Sequence, residues 1–349
     1  MMKKKTIIGL VLLAFCLLCR FSHVVADFYA RHMYPGISTV LSWIGARLPF
    51  SLEEIVVLAF VVTFVDILVK AIRHKEGFLR WLGRTAVVAM WLYIWFYMGW
   101  GNNYYRTGIY QRNGIRKVRF EKVAFTRFLT DFTEELNKAA GMADGFDPDI
   151  QEIEIRAFYS DEVSSYGYAA LHKWQHVKKP ILNPLFSAVT VQGYMGPFFC
   201  ESQVNRSLLE HEYPYVAAHE MGHLAGVTSE AEASYWGFEC CRRSGNAAVR
   251  YSGYLAVLSY VLSNARYLLT KEEYNQFTDS ICDKAKEDYA ASIEHWKGMK
   301  VMWIESTQRW LFNLFLRSNG VSGGVKDCLG VVGMIMTMDA HAKAELLEI

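Results

Sequence analysis

Three apolar segments fall within the first hundred residues of this 349-residue chain, and they restrict its fold more than any other feature. Residues 6–19 follow Lys3, Lys4 and Lys5, and the apolar character continues weakly to Ala26. Residues 52–69 carry Glu53 and Glu54 at one end and Asp66 near the other. Residues 85–100 are loaded with aromatics, among them Trp91, Tyr93, Trp95 and Tyr97. A membrane-crossing helix needs about 20 apolar residues, and aromatics gathered toward one end of a span mark the lipid–water interface. The pattern predicts transmembrane helices near 6–26, 52–70 and 84–101, with a membrane region over 1–101 and a globular domain over 102–349. Val24-Val25-Ala26 also resembles a signal-peptide cleavage site, which leaves processing of the first segment open. Glu53, Glu54 and Asp66 lie where charged groups reach the interface readily, so they do not indicate an ion pathway.

Basic residues orient the segments. Lys70, Arg73, Lys75, Arg80 and Arg84 crowd the region after the second segment, whereas the longer loop before it holds only Arg31 and Arg47. Cytoplasmic loops carry such an excess, which places the amino terminus inside and everything after Gly101 outside. Composition fits a few spans joined to a globular body, with 52% hydrophobic and 15% aromatic residues. The net charge of +2 lacks the basic excess that nucleic-acid binding requires. Cys16 and Cys19 sit in an apolar run, and Cys200, Cys240, Cys241, Cys282 and Cys328 form no metal-knuckle pattern. Most read as small buried hydrophobes, and an extracytoplasmic location leaves one unassigned disulfide open among the last five.

Beyond Asn102 the pattern is globular and mainly helical. Residues 119–140 place Phe120, Val123, Ala124, Phe128, Phe132 and Leu136 on one helical stripe. Residues 153–159 and 188–192 read as short strands. Helices are expected over 251–270, 271–298, 301–319 and 325–346. The third is very apolar but is interrupted by Glu305, Arg309 and Arg317, which marks it as a core helix and not a fourth span.

The chemistry concentrates in His219-Glu220-Met221-Gly222-His223. Two histidines four apart on a helix project from one face, so both imidazoles reach one tetrahedral ion. The glutamate between them is placed to take a proton from a water held there. Pro214 suits the first turn of such a helix and Gly226 the left-handed residue after its end. A catalytic zinc needs a third protein ligand, and Glu230 and Glu232 are both candidates. Ser229-Glu230-Ala231-Glu232 fits a capping box in which Glu232 reaches back to the cap amide, leaving Glu230 to face the metal.

Resemblances add to this. Val216, Ala217, Ala218, Leu224 and Ala225 flank the motif with the small, apolar residues of the wider zinc metallopeptidase signature. Glu230-x-x-Ala233 resembles the segment that supplies the third ligand in gluzincin-type membrane metallopeptidases, with Ser234 in place of their aspartate. More broadly, Tyr34-Pro35-Gly36-Ile37, Leu48-Pro49-Phe50-Ser51 and residues 100–106 stand out in the first third of the chain. Gly196-Pro197-Phe198-Phe199, residues 214–223 and Tyr251-Ser252-Gly253-Tyr254 follow. In combination they resemble a family of bacterial membrane proteins catalogued as domain of unknown function 3810. The resemblance implies a shared fold and a zinc site; Ser234 departs from the asparagine usual in that family. Tyr235, Tyr251, Arg250 and His211 are candidates to stabilise an oxyanion. Tyr251 is preferred because it lies in a family-like segment.

Residues 188–193 with Tyr194-Met195-Gly196-Pro197 offer an edge strand for an extended peptide, and Glu201 and Asn205 are candidate cleft residues. The whole predicts a mainly α protein, in which three N-terminal transmembrane helices precede a mostly helical α+β, zincin-like extracytoplasmic domain with a short sheet. Zn2+ would be held by His219, His223 and Glu230, with Glu220 as general base. The expected location is the bacterial cell membrane, and the expected partners are the lipid bilayer and a protein or peptide substrate. The alternative is a non-catalytic, zinc-stabilised envelope scaffold or sensor.

Overall fold

The computed structural model describes residues 4–75, 77–118, 121–321 and 330–347. Five helices make up the first part: α1 (Lys4–Phe21), α2 (His23–Phe28), α3 (Tyr34–Gly45), α4 (Leu52–Arg73) and α5 (Phe78–Gly99). Among the described residues, only α4 is by itself long and apolar enough to cross a membrane. The pair Lys4–Phe21 and His23–Gly45 meets that condition jointly but bends by 111° at the extended residue Ser22. One or two candidate spans therefore stand where the sequence predicts three. The first predicted span ends early because the chain turns at Ser22 and buries Ala26 and Tyr29 in the core. The third, α5, opens with Arg80 and Arg84 and is diluted by its aromatics.

These helices are aligned. Gly9 lets α1 approach α5 closely, since a Cβ there would lie 2.8 Å from Met90 Cε. Farther along, Arg20 of α1 reaches the Tyr105 hydroxyl just beyond α5. The two helices thus run parallel. Helix α4 runs the other way, since Glu53 in its first turn holds the Phe198 amide and Trp95 near the end of α5 holds Phe198 O, which leaves Lys4, Lys5, Lys70 and Arg73 at one common end. Ile55, Leu58, Val61, Val62, Val65 and Ile72 of α4 are exposed, and its buried residues are confined to Glu53, Glu54 and Ile67.

The rest runs α6 (Ile109–Arg112), α7 (Lys122–Met142), α8 (Pro148–Asp161), β1 (Val177–Lys178), α9 (Asn183–Ala188), β2 (Gly193–Gly196) and β3 (Glu201–Val204). It continues with α10 (Tyr213–Leu224), α11 (Glu230–Arg242), α12 (Ala247–Leu268), α13 (Lys271–Ser280), α14 (Asp283–Met299), α15 (Met302–Ser318) and α16 (Val331–Leu347). The protein is mainly helical with one small sheet. Its order is β1-β3-β2, with β3 parallel to β1 and antiparallel to β2. Helix α10 sits at the centre, buried through Ala217, Ala218, Met221 and Leu224. The core is continuous with the first hundred residues: Tyr34 of α3 donates to Leu224 O at 2.7 Å, and Trp100 donates to His223 O at 2.8 Å.

Several sequence expectations change. Residues 153–159 belong to α8, where Pro148 opens the helix and Asp147 caps it through the amides of Asp149 and Ile150. The buried positions Gln151, Ile155 and Tyr159 recur every four residues, a helical period that the local Ile-Glu-Ile alternation disguised. The expected strand at 188–192 is the end of α9 and a turn, and the strand begins at Gly193. Thr278-Asp279-Ser280 ends α13, so 271–298 forms two helices. On α7 the buried stripe is Phe125, Leu129, Phe132 and Leu136, while Val123 is exposed; Phe120 lies outside the described residues. Helix α15 is not a core helix: only Glu305 and Leu316 of it are buried. Residues 325–329 of the last expected helix, and Cys328, lie outside the described residues. The described cysteines are all free, and all but Cys282 are buried.

The charged start of α4 is a clamp. Glu54 accepts the amides of Ile181 and Leu182, both at 2.7 Å. Glu53 accepts the Phe198 amide at 2.9 Å. Glu201 on β3 accepts Ser51 Oγ and the Glu53 amide, both at 3.0 Å, and pairs with buried Lys178 at 2.6 Å. The Lys178 ammonium also donates to Gly45 O and Phe50 O. Glu201 therefore fixes α4 to the sheet and does not face the cleft. Asn205 is likewise structural, donating to Val191 O and accepting the Ser207 amide.

Candidate metal centre

Local sequence sets the first two side chains. Pro214 lies in the first turn of α10, and Gly226 takes a left-handed φ of +97° after its end. The Gly226 amide donates to His223 O and the Val227 amide to Gly222 O, the paired bonds that close a helix ending in a left-handed glycine. This turn aims Val227 O at His223 Nδ1, 2.7 Å away. A carbonyl only accepts, so Nδ1 carries a proton and Nε2 is the nitrogen turned toward His219 and Glu230. A fixed tautomer of this kind is what ligand histidines use.

The third side chain comes from α11. Ser229 caps it through the Glu232 amide, which sets Glu230 in the first turn. Two turns on, Gly237 faces α10: a Cβ there would lie 3.2 Å from the His219 amide nitrogen. That small residue lets the two helices close. The Glu230 Oε2 then stands 3.3 Å from His219 Nε2 and 3.8 Å from His223 Nε2, with the two Nε2 atoms 3.1 Å apart. Ligands about 2.0–2.1 Å from a tetrahedral zinc lie roughly 3.4 Å from one another, so the spacing suits such an ion. The donor set of two imidazoles and a carboxylate also suits it. His219 Nδ1 is buried and has no hydrogen-bond partner among the described residues.

Glu232 takes another role than the expected reach to its cap amide. Its carboxylate accepts the hydroxyl of buried Tyr168, whose ring lies beneath the guanidinium groups of Arg106 and Arg112. It is absent from the cluster of three.

Charge within the cluster is strongly coupled. Burial works against the charged form of His223, but the bond to Glu230, the charges of Glu230 and Glu220 and the Val227 carbonyl together outweigh it and raise the imidazole to about 9. Burial also opposes ionised Glu230, and the bonds from His219 and His223 together with the charges of both imidazoles outweigh it, holding the carboxyl well below its usual range. A cation entering here must displace the proton of His223. Burial pushes Glu220 up, against the two imidazoles.

A cavity of about 540 Å³ joins these groups. His219, Glu220, His223, Glu230 and Ser234 line it from α10 and α11. Residues 190–195, including edge strand β2, form a second side. Gly193 touches Glu220 so closely that a Cβ would lie 2.5 Å from its Oε1. Phe96 and Trp100 from the end of α5, Tyr104, Phe312 and Phe315 from α15, Tyr215 from α10 and Tyr260 from α12 also line it.

None of the four oxyanion candidates lines this cavity. Tyr251 is buried and its hydroxyl donates to Asp288 Oδ2 at 2.6 Å, so the side chain is committed to α14. His211 meets Ser292 Oγ, Arg250 donates to Ser244 O, and Tyr235 is buried on α11. Tyr104, which sequence reasoning passed over, is brought to the cavity instead. Burial, then the charge of Glu230, raises its pKa, so the hydroxyl keeps its proton. Its place within residues 100–106 was the available signal.

One comparison bears on this architecture. The model of the family described as "Protein of unknown function (DUF3810)" matches residues 29–336. The chain belongs to that family. The matched span contains α3 to α15, the clamp at Glu53 and the whole His219–His223–Glu230 cluster. Searches of curated proteins and of solved structures give no match.

Proposed function

We propose that this protein is a membrane-anchored zinc-dependent hydrolase, acting as a peptidase on extracytoplasmic proteins or peptides. The observation that carries this reading is the convergence of Glu230 on His219 and His223, with Glu220 of the same helix turned into the same cavity. Zinc held by His219, His223 and Glu230 would polarise a scissile carbonyl and acidify water. Glu220 accepts the proton of the attacking water and returns it to the leaving amine, a task suited to a carboxylate whose pKa burial has raised. Tyr104 replaces Tyr251 as the donor to the developing oxyanion. An extended peptide adds to the free edge of β2, the strand against which Glu220 packs.

The anchoring has its own support. Helices α1 and α5 run parallel and α4 antiparallel, with Lys4, Lys5, Lys70, Arg73, Arg80 and Arg84 at the end away from the globular domain. Three crossings with residues 102–349 outside accord with the excess of lysine and arginine on cytoplasmic loops. Metal analysis of the full chain tests the site: near-stoichiometric zinc is expected, falling sharply in His219→Ala. Glu220→Gln is expected to keep zinc and abolish cleavage of a peptide library. If cleavage by Glu220→Gln equals that of the unaltered protein, the peptidase reading falls; zinc retained without cleavage by either protein favours a zinc-stabilised scaffold.

A further inference from the structure

We propose that α15 lies flat in the membrane surface and forms the lipid-side wall of the metal cavity, so that the site takes polypeptide segments held at the bilayer. The substrate half of this inference rests on the peptidase reading above.

Both ends of α15 are tied to the ends of the candidate membrane helices. At its start, the Val301 amide donates to Ala188 O at 2.8 Å. Ala188 closes α9, which begins directly after the Ile181 and Leu182 amides that Glu54 of α4 holds. At its finish, Asn319 Oδ1 accepts the hydroxyl of Tyr97 on α5 at 2.8 Å. Ser318 O accepts Arg20 of α1 at 2.9 Å. A 17-residue helix is about 25 Å long, and fastening it at both ends in this way sets it across the ends of α4 and α5 instead of along them.

Its two sides differ in the manner of an interfacial helix. Phe312 and Phe315 face the cavity, with Phe315 stacked edge-on against Phe96 and Tyr104. Met302, Trp303, Trp310, Leu311 and Leu314 are exposed, Trp303 by 74% and Trp310 by 64%. Ile181, Leu182 and Leu185 extend this apolar surface toward the start of α4. Tryptophan is favoured at the headgroup level, and helices with one such apolar face bind in the interface plane. Arg309 and Arg317 flank the patch, while Glu305, the acidic group on the helix, is buried against Lys300 and Arg309. The bilayer that would surround exposed α4 is continuous with this surface, and it is the occupant proposed here.

The test places a benzophenone amino acid at Leu311, Leu314, Leu58 or Tyr267 of the full chain in phosphatidylethanolamine–phosphatidylglycerol nanodiscs. Leu58 is exposed on α4, and Tyr267 is 89% exposed on α12. Lipid adducts at Leu311 and Leu314 are expected at the Leu58 level and about tenfold above Tyr267. Adducts at the Tyr267 level overturn the proposal, and loss of adducts at Leu58 as well overturns it together with the membrane anchor. In a second arm, the zinc-loaded chain receives a peptide library with and without a palmitoyl anchor in the same nanodiscs. Anchored peptides are expected to be cut about tenfold faster; equal rates overturn the substrate half. Lipid adducts without cleavage of either library leave the lipid-side wall standing and remove the peptidase reading alone.

Discussion

Replacing Lys178 with methionine isolates the clamp that fastens α4 to the sheet. The ammonium is 2.6 Å from Glu201 Oε1 and also serves Gly45 O and Phe50 O, with both side chains of the pair buried. Removing it leaves the Glu201 charge without its cation, holding the hydrogen bonds from Ser51 Oγ and the Glu53 amide. Breaking a buried pair by deleting one member costs about 3–5 kcal/mol. For a protein larger than about 250 residues that corresponds to a melting shift of roughly 6–10 °C, since each kcal/mol moves a domain of that size by about 2 °C. The assay is tryptophan-monitored unfolding of the full chain in detergent for the parent, Lys178→Met, Glu201→Gln and the double variant. The double variant is expected to lose well less than the sum of the two single losses, because neither charge is then stranded. Zinc content is expected to stay at the parental level, because neither residue belongs to the His219–His223–Glu230 cluster. A loss below about 1 kcal/mol for Lys178→Met, the range of solvent-screened surface pairs, would refute the reasoning.

Further outcomes follow from the same geometry. Glu230→Gln is expected to lower zinc affinity by at least about tenfold, whereas Glu232→Gln keeps zinc and instead weakens folding through loss of the Tyr168 contact; the reverse order, read by competition with a chelator, exchanges their roles. Gly193→Ala forces Glu220 to move, since the new methyl lies 2.5 Å from its Oε1; hydrolysis is expected to fall about 100-fold with zinc retained, and unchanged turnover contradicts the placement of Glu220. In the metal-free protein the His223–Glu230 pair stabilises the fold fully below the ordinary imidazole value of 6.5 and is lost as pH rises through about 9. Its acid limb has the opposite sign: Glu230, held low, contributes above its ordinary 4.5 and is lost as pH falls further. The melting temperature of the metal-free chain is thus expected to decline between pH 6.5 and 9, and that decline is expected to vanish in Glu230→Gln.

The sequence by itself determined the features encoded within a few turns of chain. The helix carrying His219 and His223 was legible because proline, glycine and a four-residue spacing are local signals, and Ser229 likewise placed Glu230 at the start of the next helix. The apolar length of α4 was equally plain, since no charge falls between Ile55 and Val65. Tertiary structure decided what depends on distant partners. Residues 153–159 alternate like a strand, yet their burial against α10 follows a helical period. The charges of Glu53, Glu54 and Glu201 looked like interface or cleft groups until Lys178 and the amides of residues 181, 182 and 198 were beside them. Tyr251 and Tyr104 are indistinguishable as residue types; one is spent on Asp288 and the other opens on the cavity. Helix α15 carries an apolar run that periodicity alone assigns to a core. Only the tertiary structure shows its outer face exposed among the described residues, because burial is a property of what surrounds a helix and not of the helix itself.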